Sequence, residues 1–431
     1  MGIGYRNSFF RDGDYVDDKL QVWRSDLKYF INDQWLVNWQ LAYRQADQDF
    51  DHYFAGTYSA TDKTLKQSYA WQKTRNKTFT NNITFNGEFD TASLKHKVTI
   101  GLDYSQEERH PILAVLRNQE IDPFLSRYQW TARQHPNATT DNRHKAYSTG
   151  IFVQDLISLT DNVKLLLGGR YDFYRFNSTN INIKQERRDT KGHSFSPNVG
   201  VVWEVTPEHT LYASFNRSFS PYGGRGYLGI STDQKDVFNT SPEYNQQYEV
   251  GIKSDWFDKT LSTTLSAYQL ERRNIRYRPN KDILDVWAVR GKDQSKGVEL
   301  SLLRQLAPKW YIRSSVGWMV AKIKEDKQNP QNNNRTLNNT GNFTSNLFVR
   351  YVPTEKLYLE TGVTHLGKRY YFNNKQTILP SFTRVDAMVG YNLNPVNITL
   401  AVSNLLNKAY WRSDSMPGNP RSFNLRLTYT F

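Results

Sequence analysis

Eight side chains in or beside the polar stretches of this sequence are of types that grip a ligand rather than transform one: Trp130, Tyr222, Arg225, Tyr227, Trp287, Tyr371, Phe372 and Trp411. Aromatic rings offer stacking surface to a ligand's apolar parts, and guanidinium groups answer its charge directly or through cation–π contact. Nothing is arranged for catalysis. There is no cysteine, no phosphate-cradling glycine loop ending in Lys-Ser/Thr, no H-E-x-x-H and no G-x-S-x-G elbow. The eight histidines, at 52, 96, 110, 135, 144, 193, 209 and 365, never fall at ligand spacing, so no metal cage is expected. Ser, His and Asp from separate loops could converge, but no triad stands out. The expectation is a non-enzyme without a resident cofactor.

The elements that must carry such residues show most plainly at the end of the chain. Val396, Ile398, Leu400 and Val402 alternate with Asn397, Thr399, Ala401 and Ser403. Phe423, Leu425, Leu427, Tyr429 and Phe431 alternate with Ser422, Asn424, Arg426, Thr428 and Thr430. A period of two places one apolar and one wet wall on a strand, and no helix can use it. The pattern recurs upstream at Trp35, Val37, Trp39, Leu41 and Tyr43; at Val98, Ile100, Leu102 and Tyr104; and at Trp310, Ile312, Val316, Trp318 and Val320.

Composition agrees with strands that cross a membrane around a watery lumen. Only 38% of the 431 residues are hydrophobic while 14% are aromatic, as expected where alternate residues are apolar and rings form girdles at both interfaces. No run approaches the roughly 18 apolar residues of a membrane helix, so any crossing is by strands. The net charge of +14 has two uses: a basic lumen or mouth that attracts anions, or contact with lipid phosphates together with solvated loops. A cysteine-free chain suits passage through an oxidising periplasm.

Two kinds of connection alternate. Short polar turns stand at Asn32–Gln34, Thr91–Ser93, Thr160–Asn162, Thr206–Glu208, Asp258–Lys259, Ala307–Lys309, Pro353–Glu355 and Asn394–Pro395. Between them lie long polar segments near 48–74, 110–143, 178–193, 220–244, 277–285, 326–339, 371–380 and 405–420. Short turns at one rim and long loops at the other mark an outer-membrane barrel and not a soluble sandwich. The fold class read here is all-β, a transmembrane antiparallel β-barrel of about 18 strands over residues 1–431. Asn329–Arg335 reads as a mobile low-complexity run with no role. Gly168, Gly169, Gly251 and Gly297 suit close backbone approach. Glu249 with Lys253, and Glu299 with Arg304, read as lumen-side charge ladders.

A family resemblance then becomes specific. Tyr244-Asn-Gln-Gln-Tyr-Glu-Val-Gly-Ile-Lys253, Leu265-Ser-Ala-Tyr268 and Lys296-Gly-Val-Glu-Leu300 resemble the barrel core of TonB-dependent siderophore receptors. So do Phe152-Val-Gln-Asp155 with Lys164–Asp172, and Gly367-Lys-Arg-Tyr370 leading to Leu379–Asp386. Val402–Tyr410, Pro417–Arg421 and the final strand resemble the family's closing hairpin. Ile121-Asp-Pro-Phe124 with Tyr128 is similar to a loop of its hydroxamate (ferrichrome-type) receptors, although the Asn-Pro of that loop is missing.

The resemblance implies an outer-membrane receptor that takes up a ferric siderophore, energised through the TonB–ExbB–ExbD system and embedded in outer-membrane lipid and lipopolysaccharide. Iron would arrive inside its chelate, so no protein ligand to the metal is needed. The eight aromatic and cationic residues above are the candidate contacts, with Trp411 and Tyr222 best placed because each lies in a loop beyond its strand. The rival use of the rings is a membrane girdle. Family members carry a plug domain in a barrel of about 22 strands; here no plug and no TonB-contacting segment is read. Roughly the first four strands of such a barrel are also missing. The expectation is therefore a fragment, a split product or a mis-started frame, with Met1–Arg11 and Arg421–Phe431 as strands left to pair. Other classes remain: a passive porin or structural barrel, told apart by steady conductance, and a nucleic-acid binder, disfavoured by the sorting of loops.

Overall fold

The structure, a computed structural model, describes residues 9–125, 134–181, 185–220, 242–277, 288–373, 375–413 and 416–430. Alternating sequence becomes strand throughout. The order begins β1 (Tyr15–Phe30), β2 (Trp35–Ser59), β3 (Thr64–Thr91), β4 (Leu94–Ile121), β5 (Thr140–Ser158), β6 (Val163–Asn180) and β7 (Gln185–Thr206). It continues with β8 (His209–Ser220), β9 (Glu243–Trp256), β10 (Leu261–Tyr277), β11 (Ala288–Ala307), β12 (Trp310–Glu325), β13 (Phe343–Thr354) and β14 (Leu357–Leu366). The last five are β15 (Arg369–Asn373), β16 (Lys375–Leu379), β17 (Phe382–Asn392), β18 (Val396–Ser403) and β19 (Ser422–Tyr429).

Seventeen strands form one antiparallel sheet, and β15 with β16 makes a separate hairpin. Chain neighbours pair, as in β1–β2–β3 and from β7 to β14, while β14 passes the small hairpin to pair with β17. Every short turn read from the sequence closes a hairpin of the large sheet. Asn32 shows the local cause: its Oδ1 accepts the Gln34 and Trp35 N–H groups at 2.9 Å each.

The long polar segments are shorter as loops than the sequence suggests. Between 48 and 74 the β2–β3 ladder continues from Asp47↔Arg75 to Ser59↔Thr64. β4 likewise runs to Ile121, and 371–380 contains most of the β15–β16 hairpin. Backbone pairing needs no regular apolar alternation, so a ladder rich in charged and amide residues with only scattered rings, such as Tyr53 opposite Tyr69, reads as a loop. Of the strand expected of Met1–Arg11, residues 1–8 lie outside the described residues; residues 9–14 form a turn, in which the Asp14 carboxylate accepts the Arg11 N–H at 2.9 Å and the Tyr53 N–H at 3.2 Å.

Contacts divide the chain into two compact units. The first holds Met1–Phe89, Lys97–Gln154 and Gly169–Phe195. Its small dry cluster is Tyr53, Tyr69, Trp71 and Ala114, with Ile112, Leu116 and Ala138 packed against it. On β6 burial alternates: Asp172, Tyr174 and Phe176 are 1%, 8% and 3% exposed, while Tyr171 and Phe173 between them are 38% and 53% exposed. The buried face is the polar one, since Arg170 Nε lies 2.8 Å from Asp172 Oδ2 and its Nη2 lies 2.9 Å from Asp103 Oδ1.

The second unit holds Asp90–His96, Asp155–Gly168 and Ser196–Phe431. Ala213, Val250, Ala267, Val298 and Trp318 form an in-register apolar row across β8–β12, and Val250 and Trp318 are more than half exposed. The adjoining row, Tyr212, Gly251, Ser266, Glu299 and Gly317, faces the other way. Long apolar rows open to solvent are untenable in water and natural in lipid. A Cβ on Gly251 would meet the Tyr212 ring at 2.6 Å, and one on Gly297 would meet the Tyr268 ring at 2.7 Å, so both glycines are seats for a neighbouring ring. Glu249 heads a ladder, accepting from Tyr212 Oη at 2.7 Å and Gln247 Nε2 at 2.8 Å, with Lys253 over the Tyr212 ring. The Glu299–Arg304 ladder does not exist: an odd separation puts the two on opposite faces, and Arg304 lies over Phe257.

Candidate functional site

At the long-loop ends of β10–β17, in the second unit, two loop clusters form around single buried charges. The first is built on Asp326, 1% exposed, just past the end of β12. Tyr277, the last residue of β10, donates its hydroxyl to the carboxylate at 2.8 Å. Asn332 Nδ2 donates at 2.9 Å, and the Asn329 N–H at 3.0 Å. Asn329 Nδ2 reaches Tyr277 Oη at 2.8 Å, and Asn333 Oδ1 accepts the Asp326 N–H at 2.8 Å. Burial works against ionisation of Asp326, but the hydrogen bonds from Asn332, Tyr277 and Asn329 outweigh it and hold the carboxyl below its ordinary range. The asparagine-rich run 329–335, expected to be mobile, is instead a knot with a 3-10 turn at Pro330–Asn332.

The second cluster is built on Arg369, the first residue of β15 and 3% exposed. Its Nη1 donates to Asn339 Oδ1 at 2.9 Å and to the Arg412 carbonyl at 2.6 Å, while Nη2 donates to the Trp411 carbonyl. One guanidinium thus fastens three loops, and it also lies over the Phe382 ring. Beneath it Phe382 stacks on Tyr410 with centroids 4.3 Å apart. Asn404, 1% exposed, steers the chain into the last loop. Its Nδ2 donates to the Lys408 and Asn419 carbonyls at 2.9 Å each, and its N–H donates to Asp386 at 2.7 Å. Its φ of 52° is one that Asn tolerates better than most residues.

Of the residues expected to bind ligand, Tyr371 and Trp411 come into one place. Tyr371 is half-buried two residues beyond Arg369, and Trp411, whose carbonyl Arg369 holds, is 45% exposed. Phe372 lies in the same strand, β15. Trp130, Tyr222, Arg225, Tyr227 and Trp287 lie outside the described residues. In the first unit, Asp122 Oδ1 accepts the Phe124 N–H at 2.9 Å in a tight turn that leaves Phe124 55% exposed, while Tyr128 lies outside the described residues. The arrangement can present the Trp411 side chain to a ligand while the buried Arg369 holds the loops behind it. Among the described residues no three His, Asp or Glu side chains converge to hold a metal ion.

Sequence reasoning missed Arg369, Asp326 and Asn404. Arg369 sits inside the Gly367–Tyr370 block and Asn404 inside the Val402–Tyr410 block, so position in those blocks was the only signal. Asp326 carried none.

Residues 2–405 match a family model described as TonB dependent receptor-like, beta-barrel. The metal-pseudopaline receptor CntO of Pseudomonas aeruginosa is 25% identical over 456 residues, covering 100% of this chain and 62% of the relative. The crystal structure of the siderophore receptor PiuA from Acinetobacter baumannii is similar with a TM-score of 0.83 at 21% identity, over 97% of this chain and 66% of that one. The ferric-catecholate import receptor Fiu of Escherichia coli K12, in its closed form, matches with a TM-score of 0.79 at 19% identity, over 97% and 65%. The chain therefore spans just under two thirds of the length of these relatives.

Proposed function

From the premise that this chain belongs to the TonB-dependent receptor-like β-barrel family, we propose that it is the membrane wall of a receptor that takes up a ferric siderophore. It is an outer-membrane protein. The carrying observation is the inverted sheet: large apolar side chains exposed along one face, polar and charged ones on the other, and an aromatic rim tied together by Arg369 at the long-loop end. The rim meets the chelate first, rings against its apolar parts and cations against its charge. Iron stays inside its chelate as cargo. Transport itself draws on the TonB–ExbB–ExbD system, and surrounding lipid and lipopolysaccharide seal the outer wall.

Hydroxamate chelates are the substrate class proposed, on the Ile121–Phe124 turn. The test is a panel of ferric hydroxamates, ferric catecholates and metal–pseudopaline added to the whole chain refolded in detergent, read by quenching of tryptophan fluorescence. Saturable quenching is expected, strongest for a hydroxamate. Preference for another class overturns the hydroxamate assignment alone. No binding to any chelate, with a steady open conductance in a planar bilayer, overturns the receptor reading in favour of a passive pore.

A further inference from the structure

The polar face of the second unit carries several ion pairs, and one of them is out of balance. Asp386 accepts from a single guanidinium, Arg384, at 3.1 Å from Nε and 2.8 Å from Nη2. Glu243 likewise accepts from Arg272, whose Nε donates at 2.9 Å. Glu360 serves two cations instead. It accepts from Arg313 Nη2 at 3.3 Å and from Arg350 Nε at 3.1 Å. A guanidinium has five N–H donors. Among the described residues no other acceptor bonds either arginine, so most of their donors are unused and the trio keeps one net positive charge. The Glu360 side chain is 14% exposed, those of Arg313 and Arg350 59% and 42%.

Register puts the three on one face. Tyr311 stands opposite Arg350 and Arg313 opposite Phe348, Arg350 stands opposite Glu360, and Glu360 opposite Met388. On β12 this is the face of Gly317, which continues the polar row of Tyr212, Ser266 and Glu299. Both cations are laid flat on rings: Arg313 Cζ is 4.3 Å from the Phe348 centroid and Arg350 Cζ 4.4 Å from that of Tyr358. A guanidinium on a ring keeps its N–H edge for an acceptor in its own plane, and a ligand has less side-chain freedom to remove. Leu303, Arg313, Phe348, Arg350, Glu360 and Met388 line a groove of about 570 Å³, the size of a small-ligand site.

The groove lies at the short-turn end of the sheet. Tyr311 is the second residue of β12, and Arg350 comes just before the Pro353–Glu355 turn. At a rise of about 3.3 Å per residue, roughly 40 Å of strand separates Arg313 from Glu325, where β12 reaches the Asp326 cluster. The groove is therefore no part of the loop clusters at the other end.

We propose that this groove is a second binding site for cargo, selecting chelates that carry a free carboxylate. Arg313 and Arg350 take the carboxylate, while Leu303, Phe348 and Met388 meet the hydrocarbon next to it. Two planar forks around one position suit a carboxylate, and Glu360 already occupies one side of them in that way. The surplus charge admits one more anion. The proposal rests on the receptor reading, and its test separates the two.

The whole chain, refolded in detergent, is dialysed to equilibrium against two ferric trihydroxamates that differ only at one end, a succinyl carboxylate in one and a neutral acetyl group in the other. Bound iron is measured. The succinyl form is expected to bind about tenfold tighter. Arg313→Gln or Arg350→Gln should cut that advantage to about threefold, and the double variant should abolish it, without weakening the acetyl form. Glu360→Gln removes the resident competitor and should widen the advantage. Trp411→Ala, at the far end, should weaken both chelates alike and leave the advantage unchanged. Heat-modifiable electrophoretic mobility reports folding; should the double variant not fold, Arg313→Lys is expected to keep the advantage within about threefold of the parent. Equal affinity for the two chelates, or an advantage untouched by the arginine substitutions, would overturn the site and leave the receptor reading standing. An advantage that shrinks in Glu360→Gln would show a closed ion-pair network and overturn it too. Binding of neither chelate would overturn the receptor reading, and this site with it.

Discussion

The two loop clusters above the second unit solve one problem with opposite charges. Neither has an apolar core of any size, and each is ordered by one side chain withdrawn from water. Asp326 gathers donors: a phenol, an asparagine amide and a backbone N–H. Arg369 gathers acceptors: two backbone carbonyls and an asparagine oxygen. Loops rich in asparagine and exposed backbone can supply either set, so the sign of the central charge decides which groups converge. It also decides what can undo the cluster. A carboxylate can be neutralised by acid; a guanidinium cannot be neutralised in any pH range the protein meets.

The comparison breaks most sharply at Arg369. Arg369→Met keeps the volume and leaves the Trp411 and Arg412 carbonyls without their charged donor. A hydrogen bond to a charged group contributes about 1.5–3 kcal/mol, so losing this set is expected to cost about 3 kcal/mol locally, roughly a hundredfold in loop opening. Hydrogen exchange should accelerate by that factor in 337–342 and 405–421 and stay unchanged in 326–335. Unchanged exchange around Trp411 would mean that Asn404 and the Phe382–Tyr410 stack hold the loop without the guanidinium.

Asp326→Asn is the matching change and a milder one. The amide keeps one acceptor, but its NH2 then faces donors. A loss of about 1–2 kcal/mol is expected, roughly tenfold in opening, confined to 326–335. Spread of the effect to 405–421 would show that the two clusters act as one.

How much of this was legible beforehand differs between fold and site. The short turns were legible because Asn, Asp and Pro act within a few residues, as Asn32 does. Strand faces were legible because lipid imposes a period of two. The upper strands were not, since Asp47 to Ser59 mixes charged residues with the few rings that pack there, Tyr53 against Tyr69, and so shows no sustained alternation. Arg369 was hidden for another reason: two of its three partners are main-chain carbonyls more than forty residues away, and a carbonyl has no residue type to read. Asp326 was hidden inside a composition that resembled disorder.

Acid should separate the clusters. The folded carboxyl of Asp326 lies below its unfolded value, so its stabilisation is fully present at neutral pH. That contribution is lost as pH falls through the unfolded value, about 3.9, and on through the lower folded one. Exchange in 326–335 should therefore accelerate below about pH 4 while 405–421, held by Arg369, keeps its protection. Loosening of both over the same window would show that the second cluster does not rest on the guanidinium alone.

The smallest structural effect is expected where the ligand reading is most exposed to test. Trp411 gives the Arg369 cluster only its main-chain carbonyl, and the residue is 45% exposed to solvent. Trp411→Ala should leave loop protection and folding within about 0.5 kcal/mol of the parent, as for surface positions without a structural role. A ring that stacks on bound ligand contributes about 0.5–1.5 kcal/mol, so chelate affinity should weaken by roughly two- to tenfold. Tyr371, half-buried on the adjoining strand, provides the contrast: Tyr371→Ala should lower both protection and affinity. Full affinity in Trp411→Ala, with loop protection intact, would return Trp411 to the membrane girdle and leave Arg369 fastening a rim that does not touch the chelate.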